Sequence, residues 1–491
     1  MNSLSKSNLI VMVLIICLCF VLFPVTPAHA DSTTTDSVYP EDKEHITYTF
    51  LEKDVMPIIG YVGMPSANAG DAGNQAQNPS FITRTNFQRY VDAGFNVLSG
   101  LYEREPFSTS EVHRALKLAD EVGLAYFVND TTFRCETFGG TVQTASEDDF
   151  RAAMQEAWYI DEPAFAGIAV KDEPSAQDFD GMASVNKVLQ ELTDGKMIYT
   201  NLFPSNVESE RLYLDNPSES AWDNYGQYAY DFVKKIKPDV IAYDHYVFMN
   251  INSTLENIRG TSDPVDQVAG DLNLQSYIRT LSLYRTIGLE FNIPFWVSVT
   301  SFNHRHQTQL TEKQIAWLVN SSLAYGAKGI QYYTYWPTID GSTMDSWANP
   351  SKAGLVTANG TPHDTYYQIK AINENIQAVD QVLMNSTSKG VIQYGKQVLP
   401  LVAEDTLYGY GLVRDIEGGD IFVGCFDCEG NDVYYIVNNS FNAGRTTFKA
   451  NFLDKVDVTL TNSEGVIDVQ DTFSVGFNLS GGQAILLEVK K

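Results

Sequence analysis

From residue 57 onward, short apolar runs alternate with longer segments in which apolar residues recur every three or four positions. A glycine marks many of the junctions, as in Ala93-Gly94-Phe95-Asn96-Val97-Leu98, Val122-Gly123-Leu124-Ala125-Tyr126-Phe127-Val128 and Tyr325-Gly326-Ala327-Lys328-Gly329-Ile330. Glycine just past a helix accepts the left-handed backbone that turns the chain back, and a wholly apolar strand suits a parallel sheet covered on both faces. The pattern predicts strands at 57–62, 96–101, 125–129, 165–170, 197–201, 240–243, 295–299 and 330–335. Intervening segments carry helical spacing, for example Phe150, Met154 and Trp158, or Ile315, Leu318, Leu323 and Ala324. Eight such alternations favour an α/β fold closed as a (β/α)8 TIM barrel. An open doubly wound sheet is the alternative, but no Gly-rich phosphate loop follows the first strand.

A last helix near 366–384 closes the barrel, and from about 388 the period changes to two, as in Asp432-Val433-Tyr434-Tyr435-Ile436-Val437. This predicts a C-terminal all-β sandwich domain over 387–491 that stabilises the barrel of 51–386. At the other end, Lys6, the apolar run from Leu9 to Phe23 and Ala28-His29-Ala30 read as a signal peptide over 1–30, followed by a polar leader over 31–50. The apolar run is shorter than the about 20 residues that span a bilayer comfortably, so cleavage and an extracellular, secreted product are expected, with no membrane partner afterwards.

Composition narrows the function classes. With 61 Asp+Glu against 33 Lys+Arg, the net charge of −28 opposes nucleic acid and anionic membrane surfaces, and a neutral substrate fits better. Of 5 cysteines, Cys17 and Cys19 leave with the signal. Cys135, Cys425 and Cys428 are then expected to be structural, either free and buried or with one disulfide among them. The chain has only 7 His and no His-Glu-x-x-His pattern, His304-Arg305-His306 reads as loop, and Asp340 to Asp345 has too few acids in register for a calcium loop. No metal or other cofactor is called for. The absence of a Gly-x-Ser-x-Gly elbow counts against a serine nucleophile.

In a barrel of this kind the functional residues gather at the C-terminal ends of the strands, where the loops surround one cavity. That rule selects Glu103 after strand two, Asp130 after strand three, Lys171, Asp172 and Glu173 after strand four, and Asn201 after strand five. It adds Asp244, His245 and Tyr246 after strand six, and Tyr335 and Trp336 after strand eight. Carboxylates mixed with aromatics suit a carbohydrate: sugar faces stack on rings, hydroxyls need paired partners, and acetal hydrolysis needs two carboxyl groups in different protonation states.

The run from Asp161 through Ala169-Val170-Lys171-Asp172-Glu173-Pro174 resembles the fourth strand of clan A glycoside hydrolases, in which an Asn-Glu or Asp-Glu turn presents the general acid/base. Asp239-Val240-Ile241-Ala242-Tyr243-Asp244-His245-Tyr246 is similar to the Asp-x-Tyr strand ends of family forty-two beta-galactosidases, as are Pro294-Phe295-Trp296 and Tyr335-Trp336 with Gly354-Leu355-Val356 and Gly360. The resemblance covers most of 50–380 and implies a glycosidase barrel with Glu173 as its acid. Clan members carry a nucleophilic Glu at the end of strand seven, whereas this chain reads Phe295-Trp296-Val297-Ser298-Val299-Thr300-Ser301.

Three readings stay open. Asp244 is the first choice as base or nucleophile opposite Glu173. Alternatively Asp172, Asp130 or Glu103 takes that role, or hydrolysis is lost and the chain is a carbohydrate-binding barrel. Period two sets His245 on the opposite side of its strand from Asp244, with Tyr246 sharing the Asp244 side. Trp336 is expected to be a stacking platform, and Asn201, Tyr246 and Tyr335 to contact substrate. Asp161-Glu162-Pro163 has the same letters as the Glu173 turn but precedes its strand, so no chemistry is expected there.

Overall fold

The computed structural model describes residues 55–65, 80–100, 109–133, 137–138, 141–142, 146–247, 264–301, 310–337, 354–357, 359–396, 399–440 and 443–490. The signal segment 1–30, the leader 31–50, Glu103, Cys135, His304 to His306 and Asp340 to Asp345 lie outside the described residues.

Among the described residues eight barrel strands alternate with eight helices: β1 Ile58–Tyr61, α1 Arg84–Asp92, β2 Val97–Ser99, α2 Thr109–Val122, β3 Ala125–Val128, α3 Glu147–Glu156, β4 Phe165–Asp172 and α4 Phe179–Leu192. The second half repeats the pattern with β5 Met197–Leu202, α5 Ala221–Ile236, β6 Ile241–Asp244, α6 Pro264–Phe291, β7 Phe295–Thr300, α7 Glu312–Tyr325, β8 Ile330–Tyr333 and α8 Asp364–Met384. The strands pair in parallel around a closed barrel in the order β1-β8-β7-β6-β5-β4-β3-β2. Polar caps start the helices: Ser146 and Asp149 form a capping box on α3, and Thr311 and Gln314 form another on α7. Gly326 ends α7 at φ 102°, a conformation that L side chains resist, and its N–H returns to the Leu323 carbonyl.

Period two divides each strand between two cores. Ile59, Val97, Ala125, Phe127, Met197, Tyr199, Ala242 and Trp296 face inward and fill the barrel. Their neighbours Ile58, Leu98, Tyr126, Ile168, Ile198, Tyr243 and Val297 face the helices. No helix among the described residues is long and apolar enough to cross a membrane.

The C-terminal domain is antiparallel: β9 Thr387–Tyr394, β10 Val413–Glu417, β11 Ile421–Cys428, β12 Asn431–Asn438, β13 Thr446–Asn462, β14 Gly465–Leu479 and β15 Ala484–Lys490. The order is β9-β11-β12-β15-β13-β10, with β14 on β13. Strand β13 has register shifts between Asn451 and Val458; before them it pairs with β10, and after them with β15. That bend folds one sheet over its own core of Val423, Tyr434, Ile436, Phe448, Phe477 and Leu487.

The opposite face of β11, β12 and β15, with Phe422, Phe426, Tyr435 and Leu486, joins the outer core of the barrel. Gly424 lets the backbones meet there, since a Cβ would stand 2.1 Å from the Ala324 carbonyl oxygen. Trp317 Nε1 donates to Asn439 Oδ1 at 3.0 Å, and Arg285 pairs with Asp405 at 2.6 Å inside the same seam. Cys425 and Cys428 are both free. Their three-residue spacing puts them on opposite faces of β11, Cys425 in the sandwich core and Cys428 against the barrel's, so the two do not bond to each other.

Candidate active site

Strand β4 runs two residues past its expected end and carries Asp172 into register with Asn201 of β5. Asp244 closes β6, paired with Ser298 of β7. Three carboxyl groups therefore meet at the C-terminal mouth: Glu173 and Asp172 both act electrostatically on Asp244, and Glu173 acts on Asp172.

Glu173 sits just beyond β4 with left-handed backbone, φ 48°. A non-glycine residue held there stores about 1–3 kcal/mol of strain, and such positions cluster where a side chain must be aimed. Its N–H donates to the Asn201 carbonyl at 2.8 Å. After Pro174, whose carbonyl accepts from Tyr228 at 2.6 Å, Ser175 and Asp178 form the capping box that leads into α4. Ser175 rather than Glu173 therefore starts the helix, and the Glu173 carboxylate is spare. Lys171 holds the same turn from below through its ion pair with Asp178 at 2.9 Å.

The three carboxyls differ in surroundings. Burial raises Glu173 above the usual range, while Arg211, with Nη2 3.4 Å from Glu173 Oε2, draws it back down. Asp172 keeps a solvent-facing surface, yet protein atoms crowd its carboxyl from below and around. That crowding and the charge of Glu173 push it up to about 7, against hydrogen bonds from Tyr61 (3.1 Å) and Asn201 that favour the ionised form. Asp244 is only 5% exposed, and burial first, then Glu173 and Asp172, raise it well above the carboxylate range. It bonds to Tyr246, while its Oδ1 has no hydrogen-bond partner.

Tyrosines wall the mouth. Tyr333, at the end of β8, lies 5.9 Å from Tyr61 and 5.8 Å from Tyr246, centroid to centroid, and the second pair is stacked. Tyr199 lies one layer below, on Phe127, within electrostatic reach of Asp172 and Asp244. His245 points the other way, to Ser205 and the Tyr277 ring.

The mouth thus gathers Asp172, Glu173, Asn201, Asp244 and Tyr246, and leaves other expected residues elsewhere. Tyr335 is buried outside the barrel against Tyr90 and Phe95, and Trp336, 3% exposed, packs on Phe81. After Tyr333 the chain turns back to β1, with the Tyr335 N–H on the Tyr61 carbonyl and the Trp336 N–H on that of Val62, so both rings become core rather than platform. Asp130 is taken up by Tyr159 at 2.7 Å and the Thr132 N–H at 2.9 Å, on the helix side of β3. Glu162 lies at the far end of β4, near His113.

Sequence reasoning missed Tyr61, Tyr199, Tyr333 and Arg211. The first three were readable from period two once each strand's inward face was known; Arg211, in an irregular connection, had no signal. Among the described residues no group of three or more His, Cys, Asp or Glu side chains is arranged to hold a metal ion.

No family model and no curated protein matches the chain. Solved structures similar to it include an alpha-amylase from Geobacillus thermoleovorans complexed with acarbose, at 10% identity and TM-score 0.48 over 89% of this chain and 98% of the other. A beta-L-arabinopyranosidase from Geobacillus stearothermophilus has 9% identity and TM-score 0.45 over 90% and 97%. A putative alpha-galactosidase from Bacteroides fragilis has 10% identity and TM-score 0.45 over 89% and 79%. Likeness of that order leaves the chemistry to be argued from the side chains at the mouth.

Proposed function

We propose that the chain is a secreted glycoside hydrolase that cleaves a neutral oligo- or polysaccharide by carboxylic acid/base catalysis. The convergence of Glu173, Asp172 and Asp244 on one tyrosine-walled mouth carries this reading. Mutually repelling carboxyls do not ionise together, so at neutral pH the cluster retains a proton beside an ionised partner. Those are the two states that acetal hydrolysis uses. Glu173, at the rim, gives its proton to the leaving oxygen. Asp244, buried and facing no cation among the described residues, is the stronger base once ionised and activates water or attacks the anomeric carbon. Asn201, Asp172 and Tyr246 order sugar hydroxyls, and Tyr333 and Tyr61 offer faces for the ring. The signal-like segment over 1–30 supports export, and the likeness of 161–174 to clan A and of 239–246 to family forty-two supports the assignment.

Glu173→Gln is the test. On any aryl glycoside or glycan the wild type cleaves, kcat falls about 10²–10⁴-fold with binding retained. Undiminished turnover would sink the assignment. The end of β7 favours one other reading, since Thr300 and Ser301 stand where clan members carry their nucleophile. A carbohydrate-binding barrel without hydrolysis would bind members of a glycan panel and cleave none.

A further inference from the structure

The strand-end pattern does not select Arg211, yet its guanidinium stands beside Glu173. Arg211 lies on the 3-10 turn Ser209–Leu212 between β5 and α5. Buried Leu212 fixes that turn to the core, and Tyr213, left-handed at φ 50°, turns the chain away from it. The guanidinium sits 4.7 Å from the ring centroid of Phe203, the residue after β5, and reaches Glu173 at 3.4 Å. One cation thus has two partners, a ring and a carboxylate. The Arg211 side chain is 57% exposed and that of Glu173 33%, so the pair is solvated and opens easily. Among the described residues, Arg211 is the cation that acts on Glu173, while Asp172, Asp244 and Tyr228 share its negative field.

We infer that Arg211 is a positioning residue for Glu173: it pairs with the carboxylate and releases it, staying on Phe203, when a glycoside binds at the mouth. The release rests on the glycosidase reading; the pairing does not. A guanidinium beside a carboxyl favours its ionised form, so Glu173 paired with Arg211 is a weaker proton donor. Sugar hydroxyls and the leaving oxygen arriving at Glu173 displace a weak, wet ion pair at little cost, and the loss of the cation lets the carboxyl take up the proton it must donate. The acid is thereby armed by occupancy.

Two measurements on the full chain test this. The first needs no substrate: the Glu173 carboxyl is followed by 13C NMR against pH, assigned with Glu173→Gln, in wild type, Arg211→Met and Arg211→Lys. The midpoint rises in Arg211→Met and stays near wild type in Arg211→Lys; an unmoved midpoint in Arg211→Met overturns the pairing. The second uses an aryl glycoside that the wild type cleaves. The alkaline limb of kcat/KM reports the free enzyme and that of kcat the complex. In wild type the kcat limb lies at higher pH; in Arg211→Met the kcat/KM limb rises to meet it while the kcat limb stays, and Arg211→Lys restores the gap. Limbs that move together refute release. A raised NMR midpoint with no glycoside cleaved refutes the glycosidase reading, and release with it, and leaves the pairing standing.

Discussion

Replacing Asp178 with alanine strips the Glu173 turn of its anchor. One carboxylate oxygen, Asp178 Oδ2, receives Lys171 Nζ at 2.9 Å, the Ser175 N–H at 2.7 Å and the Ser175 hydroxyl at 2.8 Å. The Asp178 side chain is fully buried and that of Lys171 is 21% exposed. Removing one partner of a buried ion pair costs about 3–5 kcal/mol, because the other charge is left without compensation. Lys171 keeps a route to water, so the lower end, about 3 kcal/mol, is expected; the lost cap is part of that figure, since it uses the same oxygen. Asp178→Asn keeps an acceptor for Ser175 and loses only the charge, at about 1.5 kcal/mol. Equilibrium urea unfolding separates the two variants. With an m-value of about 3 kcal/mol/M, Asp178→Ala lowers the midpoint by about 1 M and Asp178→Asn by about half that. A change below about 1 kcal/mol in the alanine variant, or equal effects in both, would mean that the turn is held by something else.

Two further outcomes follow from Asp172 and Trp336. Asp172 is raised to about 7 in the folded chain from an ordinary value of 3.8, so the folded state holds its proton more tightly than the unfolded one. Its contribution is intact below the unfolded value and is lost as pH rises through about 7. Wild-type stability in urea therefore falls between about pH 4 and 7 by an amount that Asp172→Asn removes; an identical pH slope in that variant contradicts the assignment. Trp336→Ala is expected to cost about 3–5 kcal/mol through the cavity it leaves against Phe81, with glycan affinity unchanged; weakened binding at full stability would restore the platform role.

The barrel was legible because many of the apolar runs were bounded by a glycine or a helix cap, and such signals locate strands to within a residue or two. The site was legible only where the chain stayed straight. Asp172 and Asp244 end strands whose inward face follows from period two, so their meeting needed no more than the barrel itself. Tyr335 and Trp336 were misread because β8 stops at Tyr333 and then bends toward β1, a turn set by hydrogen bonds to Tyr61 and Val62 from the other end of the sequence. Asp130 failed for a similar reason: one residue past β3 and its neighbour Asn129, a short 3-10 turn carries it toward Tyr159. Arg211 reaches Glu173 across 38 residues of chain, through a connection without periodicity.

The seam at Gly424 bears on how the protein is made. The outward faces of α7 and α8, including Trp317 and Tyr325, are covered in part by strands that follow residue 387. A ribosome adding about 5–20 residues each second needs roughly 5–20 seconds to supply the stretch from β9 to β15. Through that interval a completed barrel waits with part of its hydrophobic coat in water. Strand β15 lays Ala484 and Leu486 against that coat, so this part of the barrel stays wet until β15 has been added.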